Sequence, residues 1–461
     1  MEEAQTDMAQ SDRSAQAILS HLDSFSLNRH LLSDPTVRAF RDLVSSVASG
    51  SKDPYSPVGD LAYRLLRATA DRPMAEGLSL WQNHLVNAFL SGPWPDPIAM
   101  VSDTPLAEEF HRSDLRHLLE LMRISPSVIE SLIGQSAQAY TPLPCLFDPS
   151  KGTIGSPGGD GVTAQRSPVT ELRQRLLSDM VLPGLDLPTL DSTVSRIRSE
   201  LGYGILSLTH VFTYRPDAGL TPVLDPDPVS LDDLLLYDRQ KQAITANTER
   251  LARGLPASNI LLYGRRGTGK SSMVKAVARD MALSGVSLVQ LAREELCHLP
   301  SLTELLKTGN RRFIVFVDDL SFDESERGFR EIKAAIEGGV RIQPDNLVIY
   351  ATSNRRHLVE ERFSDGDEVR GQDTVHEKLS LADRFAMTIL FPSPDKETYL
   401  SIARGLALKY GAEVEDSEFD SEALEWAALH NGFSCRTARQ FALSVAPRST
   451  AQRSAAPRRP E

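Results

Sequence analysis

Cysteine is scarce in this chain of 461 residues. Cys145, Cys297 and Cys435 lie far apart and are odd in number, which gives neither a disulfide framework nor a metal-ligand spacing. Long apolar runs are missing too, and none approaches the roughly 18 residues that suggest a membrane span. The N-terminus, MEEAQTDMAQ, lacks the basic n-region and apolar h-region of a secretory signal. A reducing cytoplasm is therefore the expected compartment. There is no excess of basic charge: the formal net charge is −12. That balance argues against a broad nucleic-acid footprint, although a net-acidic chain can still carry a local basic patch. What is present is ordinary for a globular protein, with 41% hydrophobic and 24% charged residues. The length suits two or three domains.

The chain reads as a succession of textures. Residues 1–13 and 447–461 are polar and are expected to be disordered. From 14 to 140 apolar residues recur at three and four, as in LAYRLLRATA and LRHLLELMRI, so this region is expected to be helical, without internal repeats. Residues 141–168 are dense in Pro and Gly and read as a long loop or linker. A helix and a β connector follow over 169–230, the β part being ILSLTHVFTY (205–214). From 231 to 392 short apolar strands alternate with helices. The strands are NILLY, VSLVQL, RFIVFV, NLVIYAT and MTILF; the helices include KSSMVKAVARDMAL and GFREIKAAIEG. Such alternation predicts βαβ units and a parallel sheet. Residues 393–446 read as helices only.

One segment has a pattern that points to chemistry rather than to a chance glycine turn. Gly264-Arg-Arg-Gly267-Thr268-Gly269-Lys270-Ser271 fits G-x-x-x-x-G-K-[ST] at every fixed position, with Ser272 next. Glycines let the backbone curl so that its N–H groups converge on phosphate oxygens. The following helix turns its positive N-terminal dipole toward the same anion. Lys270 is suited to the β- and γ-phosphates as a point charge, and the Ser271 hydroxyl to Mg²⁺. The strand before the loop and the helix after it supply the context that the motif requires. The expected ligands are ATP and Mg²⁺.

A second site follows. Phe313-Ile-Val-Phe-Val-Asp318-Asp319 is an apolar strand ending in two acids. A strand's carboxyl end in an open α/β sheet faces the ligand crevice. Asp318 is expected to hold Mg²⁺ and Asp319 to polarise the attacking water.

Together these residues resemble the AAA+ ATPases, the oligomeric motor and switch branch of P-loop proteins. The resemblance implies a P-loop parallel sheet flanked by helices, a C-terminal helical lid and a homo-oligomer. Three further positions carry it. Asn354 in SNRRH falls where that family has its sensor-1 residue, and Arg384 in LADRF where many members have an arginine finger. Arg436 in GFSCRTARQF falls at sensor 2, with Arg439 as the alternative. The segment LDDLLLYDRQKQAI (231–244) resembles the one that packs beside the adenine. The strings VDDLSF, ATSNRRHL, HEKLSLADRF and SCRTARQF are similar to an uncharacterised bacterial AAA+ family, catalogued as a domain of unknown function, over about 203–446. Most AAA+ members end the second motif in Asp-Glu, whereas this chain has Asp318-Asp319. Glu324 is therefore the alternative activator of water.

Plainer roles compete at some positions: a turn or helix cap for Asn354, an intrachain ion pair for Arg384, a surface arginine for Arg436. The histidines His298, His357, His376 and His430 show no ligand spacing. Two functions compete: an ATPase that remodels or loads a protein or nucleic-acid partner, and an ATP-dependent assembly switch with little turnover. A small-molecule kinase fits poorly with the helical region after the sheet. A GTPase fits worse, because SNRR stands where an Asn-Lys-x-Asp motif would be. The helical N-terminal region is the expected adaptor, by position alone.

Overall fold

The computed structural model describes residues 14–49, 55–71, 74–92, 104–133, 143–151, 167–180, 184–307, 311–320, 344–354, 385–412, 416–430 and 432–446. The chain divides into two compact units, the second resuming at His210.

The first unit is helical, as its periodicity predicts. Its helices are α1 (14–23), α2 (Pro35–Ala48), α3 (Tyr55–Asp71), α4 (Leu80–Leu90), α5 (Pro105–Met122), α6 (Pro126–Ile133), α7 (Pro168–Ser178) and α8 (Leu187–Leu201). Start signals are local. Asp34 caps α2 by accepting from Thr36 N and Val37 N, and Ser79 and Gln82 form a capping box on α4. Buried Asp114 on α5 accepts from the backbone N–H groups of Ser26, Leu27 and Asn28, fixing the turn after α1. The expected linker is partly core. Leu146 and Phe147 are buried in a short helical turn, and the Phe147 ring stands 5.7 Å from Trp81 and 5.8 Å from Phe40. Its Pro and Gly content masks two apolar residues whose burial outweighs the loop composition.

The second unit is built on seven strands in one sheet. They are β1 (Val211–Arg215), β2 (Gly219–Pro222), β3 (Ile260–Tyr263), β4 (Val286–Gln290), β5 (Arg312–Val317), β6 (Leu347–Ser353) and β7 (Met387–Leu390). Their order is β2-β1-β4-β5-β6-β3-β7. Among the described residues only the β1–β2 hairpin is antiparallel; the other pairings are parallel. Helices α9 (Asp238–Ala252), α10 (Lys270–Asp280) and α11 (Leu299–Lys307) connect strands. Every residue of β6 is buried, as is all of β5 after Arg312. Strands covered on both faces carry such continuous apolar runs, which is why RFIVFV and NLVIYAT are readable. Their side chains, with Ile260, Leu262, Val274 and Val277, form the core.

The sheet starts earlier than the expected core boundary at 231, because β1 pairs with β4 through Val211–Leu288, Phe212–Val289 and Thr213–Gln290. Within ILSLTHVFTY only 211–214 extends as strand. Gly204–Ser207 instead forms a helical turn closed by Leu206 N to Tyr203 O and Leu208 N to Ile205 O. The β-branched and aromatic residues that favour strands are concentrated in VFTY. Helix GFREIKAAIEG and both termini lie outside the described residues. After Pro394 come α12 (Lys396–Lys409), α13 (Asp416–Leu429) and α14 (Cys435–Val445), with a core of Tyr399, Ile402, Leu406, Phe419 and Phe441. This is the α/β sheet with C-terminal helical lid that the AAA+ resemblance implies.

Candidate functional site

In the sheet β6 lies between β5 and β3. The carboxyl ends of these three neighbours carry Asp318–Asp319, Asn354 and the glycine-rich loop. The parallel register therefore gathers residues from three distant segments at one edge, where open α/β sheets place their ligand crevice.

The loop is fixed on several sides. Gly264 N donates to Ser353 O at 3.2 Å. Gly264 has φ +150°, and a side chain there would collide with the Phe391 carbonyl oxygen just beyond β7. Gly267 and Gly269 also have left-handed φ, +79° and +90°, and the second leads into α10. Thr268 is buried and its hydroxyl donates to Arg265 O at 2.9 Å. Lys270 donates to Gly264 O at 2.7 Å, Arg265 O at 2.9 Å and Asn354 Oδ1 at 3.3 Å. Burial pushes its pKa down, while Asp319 and Asp318 pull it up. Ser272 follows, half-buried on the first turn of α10.

The two acids meet different partners. Asp318 Oδ1 accepts from Ser271 Oγ at 2.6 Å and from Thr352 Oγ1 at 2.6 Å. Thr352 Oγ1 in turn accepts from Asp319 N at 2.9 Å. Asp319 receives the Asn354 amide on Oδ1, and its Oδ2 lies 3.6 Å from the Arg266 guanidinium. Its backbone is left-handed at φ +52°. Among residues with a Cβ, Asp tolerates that region well because its short polar side chain can bond locally. The Asp-Asp ending thus has a backbone reason.

The lid reaches the same loop. Arg436 N donates to Gly267 O at 3.1 Å, and Cys435 Sγ lies 3.7 Å from Thr268 O. Arg436 is also among the charges acting on Lys270. From the segment expected beside the adenine, the Tyr237 ring packs tilted at 55° against Phe391 with centroids 4.8 Å apart, and its hydroxyl donates to Pro392 O at 2.5 Å. Its burial and the neighbouring Cys435 raise its pKa.

Among the expected site residues, Gly264, Gly267, Thr268, Gly269, Lys270, Ser271, Ser272, Asp318, Asp319, Asn354 and Arg436 fall in this one region. Glu324 and Arg384 lie outside the described residues. Two participants, Thr352 and Arg266, were not singled out in the sequence. A signal for Thr352 existed: it stands two residues before Asn354 in a strand, and side chains two apart share a face. Arg266 carried none, because its reach depends on the loop's path. The oxygens of Ser271 and Asp318 are hard donors of the kind that suit Mg²⁺. Among the described residues, no group of three or more His, Cys, Asp or Glu is placed to hold a metal.

Residues 207–449 match the family described as "Protein of unknown function (DUF815)", more than half of the chain. The chain belongs to this family. Comparison with curated proteins gives no match. Among solved structures it is similar to the RuvB Holliday junction branch migration motor of Thermotoga maritima, at 16% identity and a TM-score of 0.33. That likeness covers 47% of this chain and 63% of RuvB. AMPPCP-bound DnaA from Aquifex aeolicus gives 18%, 0.33, and coverage of 46% and 63%. The FIGL-1 AAA domain in complex with ADP gives 17%, 0.33, and coverage of 47% and 73%. These neighbours are AAA+ ATPases. The aligned part spans less than two thirds of the RuvB and DnaA chains, and no residue role is carried over from any of the three.

Proposed function

We propose that this DUF815 member binds Mg²⁺-ATP on the 264–271 loop and hydrolyses it, as an oligomer, to remodel or load a macromolecular partner in the cytoplasm. One observation carries the reading. Ser271 Oγ and Asp318 Oδ1 stand 2.6 Å apart, beside a buried Lys270 that bonds Asn354. Lys270 now donates to neutral oxygens, and an anionic phosphate would compete for it as a partner of opposite charge. The ion held by Ser271 and Asp318 would neutralise phosphate charge. Asp319 accepts a proton from, or orients, the attacking water, with Asn354 fixing its carboxylate.

Titration with a fluorescent ATP analogue tests the binding half: Lys270→Ala should abolish binding, and near-normal affinity would show that the loop is not the phosphate site. Phosphate release tests the other half. Asp319→Asn should bind ATP and not hydrolyse it; if only Glu324→Gln is dead, Glu324 activates the water. A second reading, an ATP-dependent assembly switch with little turnover, is favoured by the two partners that already engage the Asp319 carboxylate. Wild-type phosphate release no faster than background would select it.

A further inference from the structure

The two acids at the end of β5 have opposite surroundings. Asp318 is bonded by two neutral hydroxyls, Ser271 and Thr352, which leave its negative charge in place for a cation. Asp319 faces a cation already: Arg266, from the loop itself, lies 3.6 Å away. Arg266 occupies a variable position of the phosphate-loop motif, so the motif does not require a charge there. The Arg266–Asp319 pair is exposed, with side chains 79% and 55% accessible, and an exposed pair adds little to fold stability. Its effect is on the electrostatics of the site. On the reading of the loop as the phosphate site, a γ-phosphate would bring concentrated negative charge toward Asp319 that a diphosphate lacks.

We propose that Arg266 is a positioning residue that screens Asp319, allowing the γ-phosphate of Mg²⁺-ATP to settle beside that carboxylate and so giving the site its preference for triphosphate over diphosphate. This rests on the reading of the loop as the phosphate site. Without the guanidinium, the Asp319 carboxylate repels the terminal phosphate. At the high effective dielectric of an exposed site that repulsion amounts to roughly three- to tenfold in affinity. It acts through Asp319, so removing the Asp319 charge removes the need for the screen.

The test is a double-mutant cycle read by equilibrium binding of Mg²⁺-AMPPCP and Mg²⁺-ADP to the full chain. Arg266→Ala should weaken AMPPCP by about three- to tenfold and leave ADP within about twofold. Arg266→Lys should fall between the two. Arg266→Ala with Asp319→Asn should regain the affinity of Asp319→Asn alone. Equal losses for both nucleotides would mean that Arg266 only shapes the loop. A selective loss that Asp319→Asn does not rescue would mean that Arg266 bonds the phosphate directly; either result overturns the proposal, as does no change. Wild type that binds neither nucleotide would remove the site reading itself, whereas tight wild-type binding without coupling removes the screening role alone.

Discussion

Replacing Gly264 by alanine should destabilise the second unit before any nucleotide is considered. The new methyl would collide with the Phe391 carbonyl oxygen, with Phe391 C and Cβ at 3.1 and 3.2 Å. That carbonyl cannot simply swing away. Phe391 is fully buried, its N–H donates to Tyr263 O at 2.8 Å, and the next carbonyl, Pro392 O, takes the Tyr237 hydroxyl. Relief therefore requires β7 to separate from β3. Overpacking of this kind costs about 1–3 kcal/mol, and alanine held at φ +150° adds roughly 1–3 kcal/mol. Together they lower the melting temperature of a unit this size by roughly 5–20 °C. Gly269→Ala is the control: its φ is +90° but no atom lies within 4 Å of the added carbon, so it carries strain alone, about 1–3 kcal/mol. Differential scanning calorimetry of the two variants without nucleotide should rank Gly264→Ala below Gly269→Ala, and both below wild type. A Gly264→Ala transition within about 2 °C of wild type, or the reverse ranking, would refute the packing argument.

Three further outcomes are expected. A fragment beginning at His210 should be soluble and melt cooperatively, whereas one beginning at Pro228 loses β1 and β2, leaves the β4 edge unpaired and should aggregate; equal solubility would show that the hairpin is dispensable. Acidification should weaken the second unit, because burial, with Arg311 and Arg279, pushes His210 down to about 4 from 6.5. Between those values the unfolded chain holds the extra proton, so stability is full above pH 6.5 and falls toward pH 4 by about 1–3 kcal/mol; a urea midpoint that rises between pH 7.5 and 5 would contradict this. Arg384→Ala should bind ATP but hydrolyse almost none, the loss being on the order of 10³-fold or more if it acts as a finger from a neighbouring subunit. Mixing it with Lys270→Ala should restore some activity, and a strictly monomeric, fully active wild type by light scattering in ATP would sink that idea.

Much of the second unit was legible because its parallel strands are buried on both faces and carry unbroken apolar runs. The glycine-rich loop was legible because its motif is contiguous: the eight residues 264–271 stand together in the sequence. Contacts that depend on chain path were not. Nothing in GRRGTGKS says that the third residue folds over toward Asp319, or that Phe391, more than a hundred positions away, fills the space a Gly264 side chain would need. Leu146 and Phe147 hid in a Pro/Gly-rich stretch because composition averages over neighbours and burial does not. ILSL read as strand because apolar short runs look alike until a turn closes them. The same limit hid the meaning of Asp319. As a departure from Asp-Glu it brings in Glu324 as the alternative activator of water, yet its left-handed backbone is a place where a short polar side chain belongs.

The join between Gly267 and Arg436 has a mechanical consequence. A peptide carbonyl of the loop is held by a backbone N–H of α14, with the Cys435 thiol on the next carbonyl. The first link joins main-chain atoms, so only proline, which lacks the N–H, removes it by substitution at Arg436. If the peptide between Gly267 and Thr268 turns over, the backbone tether is lost and only the Cys435 contact to Thr268 O, in the following peptide, still joins lid to loop; if it stays, helix and loop move as one piece. The first turn of α14 is therefore a lever whose short arm is two consecutive peptide planes of the loop.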